Sequence, residues 1–295
     1  MKKPLVGALL ALLLTGAAAA PAVASAPSDT AAQAPASAPR SAPAQPASPA
    51  LAAVDFAGTV ALSNCSGSVV RTPSSLLSDP ALVLSNGHCL ETGFPAPGQV
   101  VMNKRSSRSF TLLNSAGTGV GTLRASKIAY GTMTDTDVSV YQLTKTYAQI
   151  QSTYGISALT LSDTHPVAGT PITVVSGYWK RTYSCDIDGF VYRLKEGDWT
   201  WKDSVRYTST CNTIGGTSGS PVIDRNTGKV VAVNNTGNED GQSCTVNNPC
   251  EVDENGVVTV RQGINYAQET YNMVPCIGAG SVFDLSRPGC ALPKP

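Results

Sequence analysis

The chain has 295 residues, of which 14% are charged, and its formal net charge at pH 7 is +1. Such a chain has no basic field that would hold a nucleic acid or an anionic membrane, so we expect neither partner. The 27 glycines and 20 prolines, together with many β-branched runs, favour an all-β chain rich in turns.

Residues 1–24 have the pattern of a secretory signal peptide. Two lysines precede a short apolar core, and the run Ala22-Val23-Ala24 offers a cleavage site. The apolar core is too short for a permanent anchor, which needs about 20 residues. We therefore expect a secreted, extracellular protein that does not stay in a membrane after the signal is removed.

Residues 25–50 are almost entirely Ala, Pro and Ser. A segment of this composition buries too little apolar surface to order itself, so it predicts a propeptide or a flexible leader. From residue 51 onwards, short apolar or alternating runs are separated by turn residues. These runs predict two series of antiparallel strands joined by a polar connector at 144–166, and no segment has a strong helical pattern.

Each series contains six predicted strands. The first comprises 58–62, 68–71, 81–85, 99–103, 110–114 and 138–143, and the second 171–176, 186–194, 200–207, 221–223, 230–234 and 257–265.

The eight cysteines are an even number, which in an exported protein indicates disulfides rather than a metal cluster. Cys185 and Cys211 are equidistant from Asp198, so a hairpin that turns there brings them opposite one another. Pairing of neighbours along the chain gives Cys65–Cys89, Cys185–Cys211, Cys244–Cys250 and Cys276–Cys290.

The run Gly215-Gly216-Thr217-Ser218-Gly219-Ser220-Pro221 is the strongest candidate for chemistry. Glycines allow a tight turn that exposes the serine hydroxyl beside outward-facing backbone N–H groups. That arrangement suits a nucleophile, but an ordinary Gly/Ser turn between strands has the same composition. The loop alone does not decide between the two.

A serine nucleophile needs a base, and the chain has two histidines. His88 follows an apolar run and precedes Cys89, whose disulfide would restrain the imidazole. His165 precedes a proline in the polar connector and is interpreted as an ordinary surface residue. Asp137 begins an alternating strand and is the candidate that orients the base. Asp135, in a Thr-rich turn, is the alternative, and we prefer Asp137 because it is attached to the strand.

The Gly-His-Cys turn, the Asp-Val-x-Val strand and the Gly-x-Ser-Gly-x-Pro loop, in this order, resemble the trypsin/chymotrypsin family of serine endopeptidases. The serine loop is most similar to secreted bacterial glutamyl endopeptidases and their relatives. The resemblance covers about residues 54–275. It implies two six-stranded antiparallel β-barrels, at about 51–145 and 165–275, with the active site in the cleft between them and a disulfide-tied tail at 276–295.

The resemblance also implies the roles of the residues. Ser218 would attack the peptide carbonyl to form an acyl-enzyme, His88 would act as general base and then acid, and Asp137 would orient His88. The backbone N–H groups of Gly216 and Ser218 would form the oxyanion hole. Cys65–Cys89 matches a disulfide of the family, while Cys211–Cys244 would resemble the bridge of its specificity pocket and is a second possibility.

Two departures from the family bear on activation and specificity. Thr217 stands where animal trypsins have an aspartate, so we expect no activation by a new N-terminus, and activation would be removal of the leader. The specificity pocket should involve Asn212 and Thr213 on its floor and Asn234 and Asn235 on its wall. No acid stands on the floor, and Asn234 replaces the histidine of glutamyl endopeptidases. These residues predict a neutral polar pocket without strict Glu preference.

We expect a monomer that acts on proteins or peptides and uses neither a metal nor an organic cofactor. The acidic loops at 238–241 and 251–254 have enough oxygens for calcium but are interpreted as turns. Two other functions are open: an inactive protease-like binding protein, although no triad residue is missing, or a secreted disulfide-rich β-sandwich that binds a polymer.

Overall fold

The computed structural model describes residues 51–295. The predicted signal peptide and leader lie outside these residues. The strands are β1 (Thr59–Ala61), β2 (Ser66–Arg71), β3 (Pro80–Ser85), β4 (Val100–Arg105), β5 (Ser109–Leu113), β6 (Gly119–Thr132), β7 (Val138–Thr146), β8 (Leu159–Thr160), β9 (Pro171–Ser176), β10 (Arg181–Glu196), β11 (Trp199–Tyr207), β12 (Pro221–Asp224), β13 (Val230–Gly237), β14 (Cys250–Val252), β15 (Val258–Val260), β16 (Asn265–Glu269), β17 (Ile277–Gly278) and β18 (Val282–Phe283). One helix, α1 (Tyr147–Tyr154), follows β7, and single 3₁₀ turns lie at Gly87–Cys89, Val274–Cys276 and Ala279–Ser281.

The first half of the domain is a closed antiparallel barrel. Six strands pair in the order β1-β5-β6-β7-β3-β2, and β1 pairs with β2 to close the ring. Strand β4 pairs with β6 outside the ring, and β8 runs parallel to β2. Apolar side chains fill the interior and include Phe110, Leu123 and Tyr141. Along the strands they alternate with outward-facing residues.

The second half forms another ring of six antiparallel strands. Its order is β11-β16-β13-β12-β9-β10, and β10 pairs with β11 to close it. Strands β14 and β15 extend the sheet from β10. The predicted fold of two six-stranded antiparallel barrels is therefore confirmed.

Several predicted elements differ from the observed ones. Strand β6 was missed, because bulges between Ala125 and Lys127 and between Ile128 and Tyr130 interrupt its alternation. The single predicted strand at 257–265 is instead two separate strands, β15 and β16.

The connector contains a helix that the apolar pattern did not indicate. Its signals are local: Thr146 and Gln149 form a reciprocal capping box, and Gly155 ends α1 with a φ of 67°. Within residues 51–295, no helix is long and apolar enough to cross a membrane.

Disulfides join the eight cysteines in the four neighbouring pairs, Cys65–Cys89, Cys185–Cys211, Cys244–Cys250 and Cys276–Cys290. The Cys211–Cys244 alternative is not formed.

The C-terminal tail packs against the first barrel. The rings of Tyr130 and Phe283 stack with their centroids 5.5 Å apart, and the Tyr130 hydroxyl donates to the Pro293 carbonyl over 3.1 Å. Leu285 and Leu292 belong to the same buried cluster, which also includes Val233 of the second barrel. One apolar core is thus shared by both barrels and the tail.

Candidate active site

His88 lies in the 3₁₀ turn that follows β3 and contacts Asp137 through two hydrogen bonds. The backbone N–H of His88 donates to Asp137 Oδ1 over 3.0 Å, and the ring Nδ1 lies 2.6 Å from Asp137 Oδ2. The aspartate side chain is fully buried, whereas that of His88 is 19% exposed. A Cβ on Gly87 would collide with the Thr132 carbonyl and approach Asp137 Oδ1 within 2.9 Å, so only glycine permits this close turn.

The charge of Asp137 controls the protonation of His88. Burial by itself lowers the pKa of His88, but the charge and hydrogen bond of Asp137, with a smaller contribution from Glu196, raise the pKa above its ordinary 6.5. When His88 is neutral, its proton sits on Nδ1 and is donated to Asp137. The Nε2 lone pair is then free to accept a proton, as a general base requires.

Ser218 is held by the backbone of its neighbours. Ser66 N–H donates to the Ser218 carbonyl over 2.8 Å, and Gly219 N–H donates to the Asn234 carbonyl over 2.9 Å. Gly219 has a φ of 80°, and a Cβ there would collide with Ser66 O and Ser85 Oγ. The loop is thus pressed against β2 and β3 of the first barrel.

The Ser218 hydroxyl donates to the Asn235 carbonyl over 3.2 Å, while His88, Asp137 and Ser218 all line one cleft. No hydrogen bond joins His88 to the Ser218 hydroxyl in the part of the chain that the structure describes. Catalytic hydrogen bonds are often long or misaligned before substrate binds. To contact His88, the Ser218 hydroxyl would have to turn away from the Asn235 carbonyl.

The backbone N–H groups of Gly216 and Ser218 make no hydrogen bond to another residue between 51 and 295. The preceding carbonyl, that of Gly215, accepts a hydrogen bond from Trp179 Nε1 over 2.7 Å. Because the C=O and N–H of a trans peptide point in opposite directions, this bond directs the Gly216 N–H away from Trp179. Trp179 lies in the turn between β9 and β10, and its role was not predicted from the sequence.

The four predicted pocket residues also line the cleft, but they differ in how their polar atoms are used. Thr213 Oγ1 donates to Asn265 Oδ1 over 2.7 Å. Asn234 is buried, its oxygen accepting from Tyr207 and its nitrogen donating to Thr217. The amide group of Asn235 is buried without a hydrogen-bond partner among the described residues, whereas Asn212 is exposed.

Glu196, at the end of β10, is a cleft residue that sequence reasoning missed. It is 7% exposed, and Asn247 N–H donates to its Oε1 over 2.8 Å. Its Oε2 has no partner within the described residues. Burial raises the pKa of Glu196 against the opposing effect of its hydrogen bonds. Only the β10–β11 hairpin brings this residue to the cleft, so no local motif marks it.

Among the acids that were considered for calcium, Glu251 is engaged in ion pairs. Glu251 lies 2.9 Å from Arg206 Nη1 and 3.0 Å from Arg261 Nε. Its carboxylate is therefore neutralised by two guanidinium groups.

A sequence profile of the trypsin-like peptidase domain matches residues 65–233, more than half of the chain. The chain belongs to this family. The peptidase has the fold of a trypsin-like serine endopeptidase, with the two barrels described above. No curated protein matches its sequence.

The chain is similar to several solved structures, among them three proteases. A Glu endopeptidase has 18% identity and a TM-score of 0.43, over 72% of the peptidase and 85% of that chain. The active form of the Rv3671c protease from M. tuberculosis has 13% identity and a TM-score of 0.47, over 82% of the peptidase and 85% of that chain. The MamO protease domain from Magnetospirillum magneticum has 11% identity and a TM-score of 0.44, over 72% and 92%.

Proposed function

We propose that the protein is a secreted serine endopeptidase that uses Ser218, His88 and Asp137 as a catalytic triad. The observation that carries this proposal is the 2.6 Å contact between His88 Nδ1 and the fully buried Asp137 carboxylate, in the cleft that also contains Ser218. A buried carboxylate in this position favours the tautomer that a general base needs.

In the proposed reaction the Ser218 hydroxyl turns from the Asn235 carbonyl to His88 Nε2. His88 takes the hydroxyl proton as Ser218 Oγ attacks the substrate carbonyl, and Asp137 stabilises the imidazolium that forms. The free N–H groups of Gly216 and Ser218 stabilise the oxyanion. His88 then protonates the leaving amine, and water hydrolyses the acyl-enzyme by the same steps in reverse order.

The substrates are proteins or peptides whose side chains enter a cleft lined by both polar and apolar residues. Its described lining contains amides, hydroxyls, carboxyl groups such as those of Glu196 and Glu239, and apolar side chains such as that of Trp199, but neither Lys nor Arg. Apart from His88, which is assigned to the triad, no residue of this set carries a positive charge that would bind an acidic side chain. This supports a pocket without strict Glu preference. The carboxylate floor that selects Lys or Arg in trypsins is also missing, because Asn212 and Thr213 occupy that region.

The four disulfides support an oxidising, extracellular location. Residues 1–24 would be removed on export and 25–50 as a propeptide or leader, which leaves a monomeric protease domain from about residue 51. Thr217 supports activation by loss of the leader rather than by a new N-terminus.

Labelling with a serine-reactive fluorophosphonate tests the proposal. The processed protein should be labelled, Ser218→Ala should not, and the exposed Ser209→Ala should match the wild type. Equal labelling of the wild type and Ser218→Ala, or no labelling of either, would refute the assignment of Ser218 as the nucleophile. It would favour a protease-like binding protein.

The pH dependence of labelling tests the base. His88 must be neutral to accept a proton, so the rate should fall as pH decreases through the pKa of His88. Because that pKa is raised, the midpoint should lie above 6.5. A rate that stays constant from pH 5 to pH 9 would exclude His88 from this role.

A further inference from the structure

Outside the cleft, three side chains from distant parts of the sequence meet on the second barrel. His165 belongs to the connector before β9, Asp203 to β11, and Glu269 to the end of β16. His165 Nε2 lies 3.2 Å from Asp203 Oδ2 and 3.0 Å from Glu269 Oε1. One nitrogen and two carboxylate oxygens thus lie within 4.8 Å of one another.

Glu269 is the most unusual member of this group. Its side chain is 1% exposed, and neither carboxylate oxygen has a hydrogen-bond partner of normal geometry among residues 51–295. The His165 ring is close enough to Oε1, but its Nε2 is directed at Asp203 instead. Within the same residues, neither Asp203 nor Glu269 forms an ion pair with Lys or Arg. A buried carboxylate without a partner is costly, so this arrangement calls for a cation.

The His165 ring is positioned to offer a lone pair to such a cation. Its Nδ1 lies 2.5 Å from the Pro166 carbonyl, which can only accept a hydrogen bond. The proton of a neutral His165 therefore sits on Nδ1 and leaves Nε2 unprotonated. The ring centroids of Phe190 and Tyr271 lie 4.4 and 5.1 Å from that of the imidazole, and the two rings restrain it. A backbone carbonyl that fixes the tautomer is typical of histidines that bind metals.

We propose that His165, Asp203 and Glu269 bind one divalent transition-metal ion, with Zn²⁺ preferred. Ligands about 2.0–2.1 Å from a tetrahedral zinc lie roughly 3.3 Å apart, close to the two separations found here. The exposed edges of His165 and Asp203 leave a fourth position to water. Calcium is disfavoured, because it takes six to eight oxygen ligands, whereas this group offers two carboxylates and one nitrogen.

A neighbouring hydroxyl supports the second carboxylate of the group. The Tyr271 hydroxyl donates to Asp203 Oδ2 over 3.1 Å and would orient the second carboxylate.

The ion would stabilise the fold rather than take part in peptide hydrolysis. None of the three residues lines the cleft, and together they fasten the inter-barrel connector to two strands of the second barrel. The proposed site departs from the sequence-based expectation of no metal. The ligands are far apart in the sequence, so no spacing motif marked them.

The test is a Zn²⁺ titration of chelator-treated protein carrying Ser218→Ala, which prevents any self-digestion. Calorimetry should show one Zn²⁺ site at the cluster. At a free Zn²⁺ concentration about 100 times Kd, Tm should rise by roughly 5–10 °C. Glu269→Gln and His165→Gln should each weaken Zn²⁺ binding at least 100-fold. Asp163→Asn, an exposed acid two residues from His165, should not change it.

His88 is the other histidine that could bind Zn²⁺. The His88→Ala variant removes any binding at that residue, so the binding that is left belongs to the cluster. The visible absorption spectrum of Co²⁺ bound to the cluster in which His165, Asp203 and Glu269 are unchanged is a readout that does not depend on the folding of a ligand variant. The proposal is overturned if the cluster shows no heat, no Co²⁺ spectrum and no Tm shift. It is also overturned if Glu269→Gln binds as tightly as Asp163→Asn. In that case a protonated His165 held between two carboxyl groups explains the contacts.

Discussion

At the scale of single residues, the candidate site depends on which atom of His88 holds the proton. Both Asp137 oxygens accept hydrogen bonds from His88, one from the backbone and one from the ring. The aspartate therefore fixes the position of the turn and the tautomer of the imidazole together. Asp135, only two residues away, is exposed and pairs with Lys202. The two acids thus have different environments although they are only two positions apart.

Asp137→Asn should lower kcat by about 10⁴-fold. The asparagine oxygen can still accept the backbone N–H of His88, but its NH₂ would then donate to Nδ1. The imidazole proton would move to Nε2, where it prevents His88 from acting as a base. Asp135→Asn, the matched control, should stay within about twofold of the wild type, since surface ion pairs contribute little. Steady-state kinetics on a peptide substrate would compare them, and equal losses would contradict the assignment of Asp137.

The sequence was most informative about residues whose function has a local signature. Ser218, His88 and Asp137 each stand in a short motif, and the structure brings all three to one cleft. Trp179 and Glu196 have no such motif. The β9–β10 turn brings Trp179 to the serine loop, and the β10–β11 hairpin brings Glu196 to the cleft. His165 was interpreted as a surface residue, and its two acidic neighbours lie 38 and 104 positions further along the chain. Contacts of this kind depend on the barrel register, which the sequence does not reveal.

At the scale of elements, the turn between β9 and β10 supports the serine loop from outside. Tyr178 and Trp179 pack edge to face with centroids 5.0 Å apart. A Cβ on Gly216 would lie 2.9 Å from Trp179 Nε1 and 3.1 Å from Tyr178 Cδ1, so the turn and the loop fit closely. The sequence contained no indication of a role for this turn. It also did not predict β6, whose alternation is interrupted by bulges, or α1, whose main sequence signal is a capping box. An interrupted pattern or a capping residue predicts an element less strongly than an uninterrupted apolar pattern does.

Trp179→Phe should lower kcat about fivefold and leave KM nearly unchanged. It removes the hydrogen bond to the Gly215 carbonyl, which contributes about 1 kcal/mol and restrains the peptide that carries the Gly216 N–H. In the proposed mechanism that donor acts on the oxyanion rather than on the bound substrate, so the loss should appear in kcat. Tyr178→Phe removes a neighbouring hydroxyl and is the control, with kcat expected to be unchanged. A similar effect in both variants, or an effect on KM alone, would argue against this role of Trp179.

At the scale of the whole molecule, the buried cluster joins the two barrels and the tail into one core. Tyr130 comes from β6 of the first barrel, Val233 from the second and Phe283 from the tail. The sequence predicted the barrels and a disulfide-tied tail, but not that the tail packs on the first barrel. A core shared by both barrels limits their independent movement. It should also make their unfolding cooperative.

Phe283→Ala tests this shared core because Phe283 is 5% exposed and stacks on Tyr130. Removing a buried ring of this kind should lower the free energy of unfolding by about 3 kcal/mol. The adjacent Val282→Ala changes a side chain that is 47% exposed, and it should cost less than about 0.5 kcal/mol. Urea unfolding followed by tryptophan fluorescence and far-UV circular dichroism should give one coincident transition for both variants, with a lower midpoint for Phe283→Ala. Two separate transitions, or a loss of tail structure with an unchanged main midpoint, would show that the barrels unfold independently of the tail.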